Sequence, residues 1–255
     1  MTFRFDSDMK ALKQRERLNA QCASHNLEEW IIQHVNPLRG AHVLDLGCGR
    51  GKQVFALAPL VSPHGSILGV DISDEAVKEI NERARKAGFG NVRATKAALD
   101  DCIGLLSGCG FDYVVSAYAI YYAKDMKRLL SELRSLLNPG GQMFICGPGR
   151  GTNQEIIQLI NETLKESTRK VPPIEDFIDD VEVRETGKPY SNYRIIRLAN
   201  EIRFPSSESV LCWWENHNSF IPESRAAVSQ ALQFHFSRKQ EFVLTKNVLG
   251  VQYFA

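Results

Sequence analysis

The chain is predicted to be a doubly wound α/β protein, a mostly parallel sheet with helices on both faces. Three observations carry that prediction: short apolar runs alternate with stretches of helical period, the connections between them are short, and the first apolar run ends in glycines that open a helix.

The elements follow in order. From Asp6 to about Gln33 the sequence is charged with scattered apolar residues (Met9, Leu12, Leu18, Leu27, Trp30, Ile31), read as two helices covering the ligand mouth or a sheet edge. After Pro37 and Gly40 come a strand, Val43 to Leu46, a glycine turn, and a helix, Gln53 to Leu60. A second strand, Ser66 to Asp71, precedes a helix that Ser73 or Asp74 can cap; Ala76, Val77, Ile80 and Ala84 recur at helical spacing before Gly88 stops it. Val92 to Thr95 and Phe111 to Ser116 read as the next strands, Lys124 to Leu137 as a helix ended by Asn138-Pro139-Gly140-Gly141, and Gln142 to Cys146 as a fifth strand.

Beyond Gly151 the rhythm changes. Thr152 to Ser167 carries Ile156, Ile160 and Leu164 on one helical stripe, Pro172-Pro173 breaks it, and a weaker helical stretch runs from Ile174 to Val181. A strand region spans residues 195–204, Ser207 can cap a helix through Trp214, and Pro222 opens another. The segment from Glu241 to Phe254 is rich in β formers and should close the sheet. The expected organisation is therefore N-terminal helices over 1–35, an α/β core over 36–150, a mostly helical cap over 151–240 with one core strand near 195–204, and a final core strand over 241–255.

Composition narrows the function. At 255 residues, with 44% hydrophobic and 24% charged, the chain can bury a core of ordinary size. Lys+Arg 31 against Asp+Glu 30 leaves +1, so no global field draws it to nucleic acid or anionic lipid, and a dedicated polyanion binder is not expected. With no apolar leader and no long apolar run, the expectation is a cytoplasmic protein without a membrane partner. The 6 cysteines form no C-x-x-C pair and read as reduced thiols; no metal constellation has a recognisable spacing, so no metal is expected.

The chemically loaded stretch is Asp45-Leu46-Gly47-Cys48-Gly49-Arg50-Gly51-Lys52. Glycines permit a tight turn and close approach of a ligand to backbone, and the following helix offers unpaired N–H groups. A dinucleotide fingerprint starting at Gly47 needs glycine at position 52, where this chain has Lys52, so NAD is disfavoured. Asp45 would repel a pyrophosphate and welcome a cation, which points to an amine or sulfonium. Asp71, about 20 residues after Gly51, suits a carboxylate accepting both hydroxyls of a ribose; its bland alternative is a helix-capping acid.

Val43 to Lys52, Ile67 to Asp71, Phe111 to Ser116 and Leu137 to Gly141 together resemble the ordered motifs of class I S-adenosylmethionine-dependent methyltransferases, over about Asn36 to Gly147. The resemblance implies a seven-stranded, mostly parallel Rossmann-like sheet and S-adenosyl-L-methionine as cofactor. It implies that Gly47, Cys48 and Gly49 contact the methionine moiety, that Asp45 organises its amine end, that Asp71 holds the ribose and that Ile72 packs on adenine. Ser116 and Ala117 would lie beside the sulfonium. Where such enzymes often place an acid for the adenine amine, this chain has Ala98, which leaves adenine to backbone around Ala98 and Leu99, to Asp100, or to packing.

Methyl transfer from a sulfonium is an in-line displacement on an activated carbon, so alignment and exclusion of water matter most, and a base only for an acceptor that must lose a proton. Tyr121 could line the acceptor pocket or orient a nucleophile, although a phenol is a poor base. His217, after Trp213 and Trp214, is the candidate base. The expected activity is methyl transfer to an O or N atom of a small-molecule acceptor, with no nucleic-acid partner. The alternatives are a protein or RNA methyltransferase and a non-catalytic S-adenosylmethionine-binding protein. Ser116-Ala117-Tyr118-Ala119 lacks the Asn/Asp-Pro-Pro-aromatic tetrad of the family's amino-group nucleic-acid enzymes.

Overall fold

The computed structural model describes residues 14, 17–19, 21–164, 171–217 and 219–255. The elements in chain order are α1 (Leu27–Val35), β1 (His42–Leu46), α2 (Lys52–Val61), β2 (Ser66–Asp71), α3 (Asp74–Ala87), β3 (Val92–Lys96), the single turn α4 (Cys102–Leu105), β4 (Phe111–Ala117), α5 (Met126–Leu133), β5 (Leu137–Pro148), α6 (Gln154–Thr163), α7 (Asp180–Gly187), β6 (Asn192–Phe204), α8 (Ser207–Glu215), α9 (Arg225–Phe236) and β7 (Phe242–Phe254). They form two compact units. One holds Leu27–Gly147, Asp176–Arg197 and Leu249–Ala255; the other holds Pro148–Glu175, Leu198–Val248 and the residues up to Asn26. This division differs from the expected boundaries, because Asp176–Arg197 packs with the sheet unit and not with a cap running unbroken from 151 to 240.

Seven strands form one mixed sheet in the order β3-β2-β1-β4-β5-β7-β6. β1 pairs parallel with β2 and β4, β2 with β3, and β4 with β5. The last strand reverses: Ala255 N–H donates to Gly141 O, so the end of β7 lies beside the start of β5, and Ser191 N–H donates to Phe254 O beside the start of β6. Strand order changes direction at β1, which puts a crevice beyond the C-terminal ends of β1 and β4, where α/β sheets take their ligands.

Local chemistry accounts for the elements. β1 and β4 are buried on both faces, as parallel strands under two helical layers must be. The spacing that predicts α3 places Ala76, Ile80 and Ala84 in the core; the Ser73 hydroxyl accepts from Ala76 N–H, and left-handed Gly88 ends the helix. The sheet-unit core gathers Leu44, Leu46, Val114, Leu130, Ile145 and Val251. The second unit packs Ile156, Ile160, Phe204, Trp213, Trp214, Val228 and Leu232 into its own core. Its two buried indoles are satisfied, Trp213 donating to Asn19 and Trp214 to Ser224.

Several expectations need correction. The stretch Asn138 to Gly141 lies inside β5: α5 stops at Leu133, a 3-10 turn follows, and β5 begins at Leu137. Phe111 pairs with Leu137 but Tyr113 with Gln142, so the proline and glycines form a bulge, with Gly140 at φ 77° absorbing the extra residues. The helix expected over Ile174 to Val181 is α7, displaced to Asp180–Gly187, where Asp179 and Glu182 make a reciprocal capping box. Ser206, not Ser207, caps α8. The turn Leu99–Asp101 with α4 carried no period and was not expected. Met9 and Leu12 of the first N-terminal helix, and the stretch 165–167 of the helix after Gly151, lie outside the described residues.

Candidate functional site

The glycine turn is a backbone device. Gly47 has φ 68°, and a Cβ there would collide with Ala119 Cβ, so both its conformation and its neighbour demand glycine. Gly47 and Cys48 N–H both donate to Val70 O, at 2.8 and 3.0 Å, which pins the turn to the end of β2. Gly49, at φ 50°, faces open space: nothing lies within 4 Å of the place its Cβ would take. Its N–H donates to Asp71 Oδ2 at 2.8 Å, while Asp71 Oδ1 accepts from Ser73 N–H at 2.9 Å. Each carboxylate oxygen can accept again, so Asp71 holds the turn against the start of α3 with lone pairs to spare. The capping role read for Asp71 is thus seen in its bond from Ser73 N–H, and it leaves acceptor capacity on both oxygens.

Asp45 is 1% exposed, and its Oδ2 has no hydrogen-bond partner among the described residues. Burial, and next the charge of Asp71, raise its carboxyl from 3.8 to about 7. A buried acid with an unpartnered oxygen at the C-terminal end of a parallel strand is costly, and a cationic group arriving there would offset that cost. Cys48, also buried, has its thiol pushed far up by burial and by the two acids, so it packs as a neutral side chain against Gly69. Directly after Asp71, Ile72 stands 51% exposed, an apolar side chain at the surface beside the turn.

Ala98 precedes the 3-10 turn Leu99–Asp101; its carbonyl accepts from Asp101 N–H, and Asp100 Oδ1 accepts from Lys124 N–H. Leu99 packs partly against the sheet-unit core. On β4, Ser116 is fully buried and its hydroxyl donates to Leu46 O at 2.9 Å, tying the ends of β4 and β1 together; Ala117, the last strand residue, is half-buried. Tyr118 then takes φ 57°, a conformation that costs a side-chain-bearing residue about 1–2 kcal/mol. Its N–H donates to Cys146 O, and the bend carries Ala119 onto Gly47.

Tyr121 packs on the Cα of Gly147, with Tyr122 at 4.7 Å and Phe177 at 5.8 Å between ring centroids. Burial and the neighbouring tyrosines hold its phenol well above the ordinary value of 10, so it is a neutral donor at physiological pH. His217 belongs to the other unit, where its ring lies 4.9 Å from Trp213 and 5.7 Å from Trp214. Its Nδ1 accepts from Ser219 N–H, which places the proton of the neutral ring on Nε2. Asp45, Gly47, Cys48, Gly49, Asp71, Ser116 and Ala117 all lie in one unit, around the C-terminal ends of β1, β2 and β4. Ala119, the left-handed Tyr118 and Phe177 were not anticipated, since a positive φ on tyrosine and a contact from residue 177 leave no local signature.

A sequence model described as a methyltransferase domain matches residues 38–196. The arsenite methyltransferase of Aquipseudomonas alcaligenes is 38% identical over 112 residues, 42% of this chain and 32% of that protein. The nocamycin O-methyltransferase of Saccharothrix syringae is 29% identical over 118 residues, 46% of this chain and 41% of its own. The shared stretch thus spans well under two thirds of either relative. A crystal structure of a SAM-dependent methyltransferase from Aquifex aeolicus superposes with a TM-score of 0.54 at 14% identity, covering 96% of each chain.

Proposed function

The chain belongs to the class I S-adenosylmethionine-dependent methyltransferase family, and from that premise we propose that it transfers a methyl group from S-adenosylmethionine to an O or N atom of a small-molecule acceptor. The observation that carries the proposal is the pair of acids at the glycine turn: Asp45, buried with Oδ2 unpartnered among the described residues, and Asp71, bonded to the turn but able to accept more. They suit a ligand with a cationic group at one end and a vicinal diol some way along it. The open face at Gly49 and the exposed Ile72 fit the same ligand.

In this reading Asp45 takes the amino group, the turn at Gly47 to Gly49 lies along the methionine part, Asp71 receives the ribose hydroxyls, and Ile72 with backbone around Ala98 and Leu99 flanks adenine. S-adenosylmethionine, when bound, supplies a methyl group activated by its sulfonium. Ser116 keeps the ends of β1 and β4 in register, and the last residue of β4, Ala117, is small enough to leave room beside the transferred group. Tyr121 acts as a neutral wall and hydrogen-bond donor to the acceptor. His217 accepts through Nδ1 from Ser219, so it could serve as base only after that bond is broken. Among the described residues no helix is long and apolar enough to cross a membrane.

The test is calorimetric titration with S-adenosylmethionine and S-adenosylhomocysteine, followed by a search of metabolite pools for transfer of a labelled methyl group. Absence of binding would refute the site; tight binding without transfer to any pool would favour a non-catalytic cofactor-binding protein.

A further inference from the structure

We propose that Arg50 and Glu79 form an electrostatic clamp that keeps the glycine turn in its ligand-ready shape, making both of them positioning residues for the donor. Arg50 sits inside the turn, between Gly49 and Gly51. Its Nη2 donates to Glu79 Oε1 at 2.6 Å and its Nε to Glu79 Oε2 at 3.1 Å, a bidentate pair with side chains 27% and 34% exposed. Both groups are more withdrawn than those of Lys96–Asp74, at 52% and 62%, and a planar fork on a carboxylate at that depth keeps direction as well as charge.

The placement gives the pair its role. Gly47, Gly49 and Gly51 all have positive φ, and a turn of three such glycines has many other conformations open to it once unconstrained. Attachments along its length hold it: Val70 O accepts at the near end, Asp71 accepts from Gly49 N–H in the middle, and Glu79 grips the Arg50 side chain. Glu79 stands in the second turn of α3, the helix that Ser73 caps and whose start Asp71 also binds. Pulling on Arg50 therefore holds the turn against the helix that follows β2, and keeps the Gly49 amide on Asp71. The ordering entropy is met before the ligand arrives.

The clamp rests on the proposed donor site, and two kinds of measurement separate the ideas. Dissociation constants for S-adenosylhomocysteine are measured by calorimetry on wild type, Arg50→Ala, Glu79→Ala and the double variant, with Arg50→Lys as the conservative change. The clamp predicts that each single variant weakens binding about five- to tenfold, that the double variant weakens it no further, and that lysine recovers only part of the affinity, since it lacks the fork. If Arg50→Ala weakens binding while Glu79→Ala leaves it unchanged, Arg50 touches the ligand directly and the clamp is overturned; if neither moves affinity, it is overturned as well. Hydrogen exchange of the ligand-free protein supplies the second arm. Amides of residues 49–51 should exchange faster in both single variants while β1 and β4 keep their protection, and unchanged exchange at the turn overturns the clamp whether or not the wild type binds the donor.

Discussion

Replacing Asp45 with asparagine should make the protein gain stability relative to wild type as pH rises while weakening its hold on the donor, and the size of the first effect can be worked from the site. The Asp45 carboxyl goes from 3.8 to about 7 on burial. Between those values the folded protein keeps a proton that the unfolded chain has released, so stability falls as pH rises from about 4 to about 7 and is level above. At 1.36 kcal/mol per unit, the shift costs about 2 kcal/mol at pH 5 and about 4 kcal/mol at pH 8. An asparagine side chain does not titrate, so the variant escapes this cost; the penalty for burying its amide is the same at both pH values. Urea unfolding of both proteins at pH 5 and pH 8 gives a double difference in which that penalty, and every titrating group not coupled to Asp45, cancels. The variant should gain about 2–3 kcal/mol on wild type between the two pH values. A difference that stays flat would mean that Asp45 is ionised in the folded protein well below neutrality, and the account of a buried acid with an unpartnered oxygen that a cation would satisfy would fail. The same carboxyl predicts that donor binding to wild type at pH 6.5 releases a proton, seen as a dependence of binding enthalpy on the buffer's ionisation enthalpy, and that this release disappears in the asparagine variant.

Asp71→Ala removes the acceptor of the Gly49 N–H and the proposed partner of the ribose, and should weaken S-adenosylmethionine binding by about 1.5–3 kcal/mol in calorimetry. Gly47→Ala drives a Cβ into Ala119 Cβ at positive φ, and should cost about 2–4 kcal/mol of stability in chemical denaturation, with Ala119→Gly restoring part of it. Ser116→Ala leaves Leu46 O without its donor and should cost about 1–2 kcal/mol of stability while leaving donor affinity within about twofold. Tyr121→Phe keeps the ring against Gly147 and removes a phenol that does not ionise near neutrality; the pH–rate profile between pH 7 and 9 should keep its shape, and loss of a basic limb there would show that Tyr121 titrates in catalysis.

Read as a string, the chain already contains β1, β2, α3, β4 and the glycine turn between β1 and α2, because each depends on short-range physics. Apolar period, a serine cap, a glycine stop and the acid two residues before Gly47 all act within a few residues of one another. The roles expected of Asp45 and Asp71 follow from charge at fixed spacing, which is why the family likeness could be drawn there. Elements whose boundaries depend on a partner elsewhere were misplaced. Asn138 to Gly141 looks like the end of a helix until β4 pairs across it and turns it into a bulge, and α7 begins where Asp179 can cap, beyond the apolar run that suggested it. Only the tertiary structure decided that Asp45 is buried beside Asp71, that Tyr118 bends Ala119 onto Gly47, and that Glu79 grips Arg50 across 29 residues of chain. Those outcomes depend on which side chains meet across the sheet and on how far water is excluded, and neither quantity is a function of neighbouring residues in the sequence.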